Sequence, residues 1–163
     1  MRLPVQVLVY PASRTGGEWQ YLLLHRVPDR GSFWQGVTGG VMEGESLEAA
    51  ANRELLEETG FDRPELEKVD YFYSFPIEDK WRHIYGYGRE VKHITEHVFV
   101  AYVKAGEPRI DPKEHDSWRW CRFEEALELL TWPNNREALK RCQMIATACS
   151  QSLDRSGGND GLI

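Results

Sequence analysis

Apolar residues in the first two thirds of the chain fall in short runs separated by glycine, proline and polar residues, a pattern typical of β-strands. Residues 5–10 and 19–26 flank a glycine-containing turn and predict a β-hairpin. Residues 36–38 predict a short strand after the hairpin. Later runs rich in aromatic and β-branched residues predict further strands at 68–76, 95–104 and, near its end, 113–122. The chain is therefore expected to build a sheet.

Apolar residues at helical spacing predict three helices. They cover residues 47–59, residues 123–130, and a last helix that begins with Asn134 or Asn135 as its cap. The apolar side of the last helix holds Ala138, Leu139, Cys142, Ile145, Ala146 and Cys149.

The pattern thus predicts one α/β domain over residues 1–150. A chain of this length is large enough to bury a core. Its mixed sheet is expected to carry the 47–59 helix on one face and the C-terminal helices on the other. Residues 151–163 are polar and rich in glycine, and they predict a loosely held tail.

The 47–59 helix has the strongest boundaries. A glycine turn from Gly39 precedes it, Ser46 is a good N-cap, and Gly60 suits the left-handed residue that ends a helix. Near its end, Glu54, Glu57 and Glu58 stand at i, i+3 and i+4, so their carboxylates lie on the same side of the helix.

These glutamates have two interpretations. Most glutamate runs form a solvated acidic face. A divalent cation reverses the repulsion between such close carboxylates, and carboxylate oxygens are the ligands that Mg²⁺ prefers. Arg53, four positions before Glu57, is placed to hold that glutamate.

The spacing of the surrounding residues favours the metal site. Five residues separate Gly39 from Glu45, and seven more separate Glu45 from Arg53. The residues that define the whole pattern are Gly39, Glu45, Arg53, Glu54, Leu55, Glu57, Glu58, Gly60 and Phe61. A chance match to these types is on the order of one in a billion per start position. The pattern resembles the box of the Nudix hydrolase family, enzymes that cleave nucleoside diphosphates linked to another group with a divalent metal and water.

The resemblance implies an α/β/α sandwich and assigns roles to residues of the box. Glu54, Glu57 and Glu58 would be metal ligands, Arg53 would orient them, and the backbone carbonyl of Thr38 would complete a coordination shell. The cation would be Mg²⁺, with Mn²⁺ as a substitute.

Composition narrows the classes of partner. The net charge of −6 argues against a general nucleic-acid binder, and no apolar run reaches the ~20 residues of a membrane span. Cys121, Cys142 and Cys149 have no metal-type spacing, and Cys142 and Cys149 are expected to be free thiols in the core. Free thiols fit a reducing cytoplasm.

Segments outside the box supply candidate substrate ligands. Arg26 at a strand end either binds substrate phosphate or is a solvated strand end. The basic and aromatic residues of 78–92 either bind phosphates and stack on a ring, or form a polar surface loop. Arg82 is the candidate phosphate ligand in this segment, and Tyr85 or Trp34 the candidate stacking residue.

Three further stretches resemble one subgroup, the dihydroneopterin triphosphate diphosphatases of bacterial folate synthesis. They are FWQGVTGG from 33, EHDSWRWC from 114 and WPNNREAL from 132. The resemblance implies that Glu114 is a further metal ligand or the base that activates water, and that Gly39, Gly40 and Asn135 contact substrate. A lone glutamate before a strand is otherwise most often a surface charge.

The sequence thus predicts metal-dependent hydrolysis of a small-molecule triphosphate to a monophosphate and pyrophosphate, with Glu57, Glu58 or Glu114 taking the proton. A pterin triphosphate is the first candidate substrate, and the protein would be a monomer or homodimer. The alternatives are a nucleoside triphosphate diphosphatase, a diadenosine polyphosphate hydrolase or a non-catalytic nucleotide-binding module. Loss of box glutamates is typical of the last, and all are present here.

Overall fold

The computed structural model describes the backbone of residues 1–161 and the side chains of residues 1–150. The described residues form one mixed sheet, as predicted, and it has seven strands, one more than the sequence indicated. They are β1 (Arg2–Thr15), β2 (Glu18–Arg26), β3 (Trp34–Gln35), β4 (Val37–Met42), β5 (Glu65–Pro76), β6 (His93–Tyr102) and β7 (His115–Arg122). The order along the main path is β3-β2-β1-β6-β5, while β4 also pairs with β1 and β7 with β2.

Strand β1 organises the sheet. It pairs in parallel with β6 and antiparallel with both β2 and β4. Because side chains alternate along a strand, Val7 and Val9 enter the core on one face, and Leu8 and Tyr10 enter the core on the other. The strand is much longer than the predicted 5–10, since it continues past Pro11 into the hairpin with β2.

Helices cover both faces and give the predicted α/β/α sandwich. They are α1 (Leu47–Thr59), α2 (Arg82–Tyr85), α3 (Phe123–Leu129) and α4 (Pro133–Gly161). Ala51 and Leu55 of α1 are fully buried against the Val7 face of the sheet. Ala138 and Leu139 of α4 are fully buried against the Leu8 face.

Helix α4 differs from its prediction at three points. It begins at Pro133, so Asn134 and Asn135 lie in its first turn and neither is the cap; proline suits this position because its missing N–H would have no helical partner. Cys142 is buried, but Cys149 is exposed and is not a core thiol. The backbone stays helical to Gly161, within the predicted tail, whose side chains and last two residues lie outside the described part.

Neither α4 nor any other helix of the described residues is long and apolar enough to cross a membrane.

The segment of residues 77–92 packs against the start of β1. Its ends are joined by a hydrogen bond from the Ile77 N–H to the Lys92 carbonyl (3.0 Å). Arg2 of β1 donates to the Tyr85 carbonyl (2.7 Å), and the Tyr87 hydroxyl donates to the Leu3 carbonyl. A short helix, α2, therefore occupies part of the predicted loop and is held against the start of β1.

Candidate active site

Arg53 joins the turn before α1 to the end of that helix. Its guanidinium donates to the Glu45 carboxylate (2.8 and 2.9 Å), to the Gly40 carbonyl (2.7 Å) and to Glu54 (2.8 Å). Glu57 lies slightly farther away at 3.6 Å. The hydrogen bond from Arg53 lowers the pKa of Glu45. Arg53 thus fixes the loop that delivers β4 to the helix, and it positions Glu54 more directly than Glu57.

Gly39 and Gly40 lie within β4 and do not form the predicted turn; the turn glycine is Gly44, with a φ of +83°. What the first two glycines provide is space. A Cβ on Gly39 would lie 1.9 Å from Cδ of Glu54, and a Cβ on Gly40 would lie 2.0 Å from Nε of Arg2. The missing side chain of Gly39 allows the Glu54 carboxylate to rest against the strand.

Glu58, Glu114 and His115 bring potential metal ligands together from two elements. One ligand atom from each of the three lies within 4.8 Å of the others. Glu58 and His115 are buried, while Glu114 is about one-third exposed and pairs with Arg30 at 3.2 Å. His115 begins β7, where it pairs with Arg26 at the end of β2, and its Nε2 atom lies 3.8 Å from Oε1 of Glu58.

Burial changes the proton affinities in this cluster. It raises the pKa of Glu54 to about 7, although Arg53 acts in the opposite direction. Burial and the neighbouring carboxylates hold the pKa of Glu58 well above its usual range. Burial, with Arg26 and Arg30 nearby, lowers the pKa of His115 to about 4, so this imidazole is neutral at neutral pH.

These residues fit a hard divalent cation. The Glu58 Oε2 atom is buried and has no hydrogen-bond partner among the described residues. An unpartnered buried carboxylate oxygen is costly in free energy, and a cation bound to it removes that cost. Apart from neutral His115, the candidate ligands are all hard oxygen donors. A set of oxygen donors favours Mg²⁺ or Mn²⁺ over softer metals.

The carboxylates line a cavity of about 240 Å³, which we call the acidic chamber. Thr38, Gly39 and Gly40 form its β4 side, and the rest of its wall comes from α1, from the turn before β7, and from Arg2, Gln6, Arg26, Arg30, Ile84 and Tyr85. Every metal ligand predicted from the sequence therefore lies at one cavity.

A second cavity of about 280 Å³, the aromatic chamber, shares part of this wall. Its lining includes the rings of Phe33, Tyr73, Phe75, Trp81 and Trp132, and the first turn of α4 with Asn135. The residues that line both chambers are Gln6, Arg26, Arg30, Ile84 and Tyr85.

Arg26 stands at this shared wall. Its guanidinium carbon lies 5.1 Å from the centre of the Phe33 ring, and it donates weakly to Gln35 (3.4 Å). Burial lowers its pKa, but an arginine stays protonated in proteins. The side chain is no solvated strand end, because it borders both chambers.

Two residues expected to contact substrate lie elsewhere. Arg82 is held within its own segment, where it donates to Asp79 (2.8 Å) and to the carbonyls of Gly88 and Val91 (2.9 and 2.7 Å). Trp34 packs on the core cluster that contains Leu8 and Tyr10 and makes an edge contact with His25. Neither residue lines either chamber. The basic 78–92 segment thus uses Arg82 for its own structure, while Tyr85 does reach the chambers.

Several lining residues were not identified from the sequence. Arg30 lies in a short 3-10 turn that follows β2, and His115 is next to Glu114. Glu96 carried a detectable signal, because it shares one face of β6 with buried Val98 and Val100, where a charged residue is unusual.

Comparison with known proteins identifies the domain family of this chain. The model of the NUDIX domain matches residues 2–142. An octanoyltransferase of Myxococcus xanthus is 36% identical over 126 residues, 77% of this chain and 33% of that protein. An RNA pyrophosphohydrolase of Caulobacter vibrioides is 39% identical over 108 residues, 60% of each chain. The chain thus spans a third to three fifths of the length of these two relatives.

Two comparisons span most of both chains. A dihydroneopterin triphosphate diphosphatase of Escherichia coli is 32% identical over 142 residues, 85% of this chain and 91% of that protein. The solved structure of the E. coli dihydroneopterin triphosphate pyrophosphohydrolase matches with a TM-score of 0.72 and 30% identity, covering 85% of this chain and 94% of that one.

Proposed function

The chain belongs to the Nudix hydrolase family, and from this premise we propose that it hydrolyses a small triphosphate carrying a fused heterocycle to the monophosphate and pyrophosphate. Dihydroneopterin triphosphate is the first candidate substrate. Relatives that match this chain over most of their length are dihydroneopterin triphosphate diphosphatases. The three stretches beginning at residues 33, 114 and 132 agree with this choice.

The wall shared by the two chambers carries the proposal. A planar heterocycle fits the aromatic chamber, where several rings offer stacking surfaces. A phosphate chain fits the acidic chamber when cations offset the charge of its carboxylates. Because Arg26, Arg30 and Tyr85 border both chambers, one molecule with a ring at one end and phosphates at the other can occupy both.

We assign the cation to Glu54, Glu57 and Glu58 of α1, with the Thr38 carbonyl as a further ligand. Mg²⁺ is the proposed cation and Mn²⁺ its substitute. When bound, such cations neutralise phosphate charge and lower the pKa of water in the site.

The remaining roles belong to side chains around the cluster. Arg26 and Arg30 bind phosphate oxygens from the shared wall, as guanidinium groups commonly do. Glu114, which approaches from the turn opposite α1, takes the proton from the attacking water. His115 is neutral and buried, so it adds no positive charge beside Glu58.

A nucleoside triphosphate is the second candidate substrate. A purine is a fused heterocycle of similar size to a pterin, so the aromatic chamber suits it too. An RNA pyrophosphohydrolase is among the relatives. The presence of all three free thiols fits a reducing compartment, so we place the reaction in the cytoplasm.

A substrate panel tests the proposal. Mg²⁺-dependent hydrolysis is measured for dihydroneopterin triphosphate, for the common ribo- and deoxyribonucleoside triphosphates and for diadenosine tetraphosphate, with products identified. Preference for the pterin with pyrophosphate release is expected. Faster turnover of nucleotides would replace the pterin by a nucleotide, and absence of turnover on all of them would refute the proposed activity.

A further inference from the structure

The aromatic chamber contains a carboxylate that has no part in the cation cluster. Glu96 of β6 is only 1% exposed, yet it lines the chamber. Gln6 donates to its Oε2 atom and the Tyr73 hydroxyl donates to its Oε1 atom. Among the described residues it has no ion pair with a lysine or arginine. A buried carboxylate without a cation is costly, and each hydrogen bond it accepts reduces that cost.

The hydrogen bonds around Glu96 leave acceptors unused. Asn135 donates through Nδ2 to the Tyr73 hydroxyl (2.9 Å), which in turn donates to Glu96. The Oδ1 atom of Asn135 is buried and has no partner among the described residues. A carboxylate accepts about four hydrogen bonds, and Gln6 and Tyr73 supply two. Glu96 and Asn135 both line the aromatic chamber. A ligand bound in this chamber can therefore donate to their unused acceptor atoms.

A planar ligand that completes this network must carry hydrogen-bond donors on the ring edge that faces Glu96. We propose that Glu96 is a specificity-determining residue that binds the adjacent ring N–H and exocyclic amino group of a 2-amino-4-oxo-pyrimidine edge, as found in pterins and guanine. This inference rests on the proposed function and adds the class of heterocycle to it.

The same chemistry excludes the other bases. Adenine and cytosine place an unprotonated ring nitrogen beside their amino group, and its lone pair repels a carboxylate. Uracil and thymine have no amino group, and hypoxanthine has the ring N–H alone. A site built to accept two donors discriminates against ligands that lack one, because its buried acceptor is left without a partner.

The experiment compares GTP with inosine triphosphate, which differs only in lacking the amino group. Wild-type kcat/KM is expected to favour GTP on the order of tenfold to a hundredfold. Glu96→Gln should bring this ratio close to one, and Tyr73→Phe, which removes a group that orients Glu96, should reduce it. The matched control is Glu67→Gln: Glu67 also accepts a hydrogen bond from a tyrosine hydroxyl, that of Tyr102, but is exposed outside both chambers.

Binding of the monophosphates separates this inference from the proposed reaction. Titration calorimetry with GMP and IMP, without metal, reports recognition of the ring independently of turnover. If no triphosphate is hydrolysed but GMP binds better than IMP only when Glu96 is present, the reaction is wrong and the inference stands. Equal binding of GMP and IMP by the wild type, or a preference for GMP that survives in Glu96→Gln, would overturn it.

Discussion

Gly39 of β4 and Glu54 of α1 are packed so closely that a methyl group on the glycine would lie 1.9 Å from the carboxyl carbon of the glutamate. The backbone of Gly39 has an ordinary strand conformation, which any residue can adopt. Glycine is needed at this position because the Glu54 side chain occupies the space that a Cβ would fill. The position of a candidate metal ligand therefore depends on a residue in another element that carries no functional group.

We expect Gly39→Ala to displace the Glu54 carboxylate while the fold is retained, because the atoms in its way belong to the end of a flexible side chain. Misplacement by about 1 Å commonly costs on the order of a hundredfold in rate. Mg²⁺-dependent turnover should fall by roughly that factor, with thermal unfolding nearly unchanged. Gly106→Ala is the control, since its Cβ would meet only one atom, at 3.9 Å; wild-type turnover in Gly39→Ala would contradict the argument.

Glu57→Gln should abolish most Mg²⁺-dependent turnover without unfolding the protein. The Glu57 side chain is 57% exposed, so the change removes a proposed cation ligand without leaving a buried group unpaired. Steady-state rates over a range of Mg²⁺ concentrations, with circular dichroism as a check on folding, measure the effect. Glu48→Gln, an exposed glutamate in the first turn of the same helix, should retain full activity. Unchanged turnover in Glu57→Gln would rule out this helix as the cation site.

Glu114→Gln should lower kcat on the order of a hundredfold or more, the usual contribution of a general base, and leave the Mg²⁺ dependence of the remaining activity close to that of the wild type. A lost cation ligand behaves differently, because it raises the Mg²⁺ concentration needed for half-maximal activity, as expected for Glu57→Gln. A similar loss of Mg²⁺ affinity in both variants would make Glu114 a ligand and not the base.

The metal-free protein should become less stable as pH rises. Burial raises the pKa of Glu54 from 4.5 to about 7, so between these values the folded chain holds a proton that the unfolded chain releases. Stability from this group is present below the unfolded pKa and is lost as pH rises through the folded one. The melting temperature with EDTA should therefore fall between about pH 5 and about pH 8.

Saturating Mg²⁺ should raise the melting temperature more at the higher pH, because the cation binds ionised carboxylates and stabilises the folded state. Glu54→Gln has no titrating group at this position and should show a weaker fall with pH. Identical pH profiles for this variant and the wild type would mean that Glu54 is not the group responsible.

The part of the acidic chamber that β4 and α1 form follows from the sequence, because its residues lie between Thr38 and Glu58 in the chain. The spacing of α1 and its caps places Glu54, Glu57 and Glu58 on one side, and the observed helix spans the predicted residues with Ser46 as N-cap and Gly60 in the left-handed conformation. Glu114 required the family resemblance, since nothing in its own neighbourhood distinguishes it from a surface charge.

The aromatic chamber could not be predicted in the same way. Its residues come from β1, β2, β3, β5, β6, the connection between β2 and β3, the 77–92 segment and the start of α4, and only the tertiary fold brings them together. Arg82 illustrates the difficulty: a basic residue in a loop has the composition of a phosphate ligand, but nearby carbonyls hold its guanidinium. Local sequence does not reveal which of these partners the arginine binds.

The shared wall of Arg26, Arg30 and Tyr85 also has a consequence for inhibitor design. A small heterocycle in the aromatic chamber and a bisphosphonate in the acidic chamber would contact mostly different residues, so both fragments can be optimised separately. Joining them across the wall turns two binding events into one and gains affinity from effective concentration without any new contact. The linker need only pass the side chains that border both chambers.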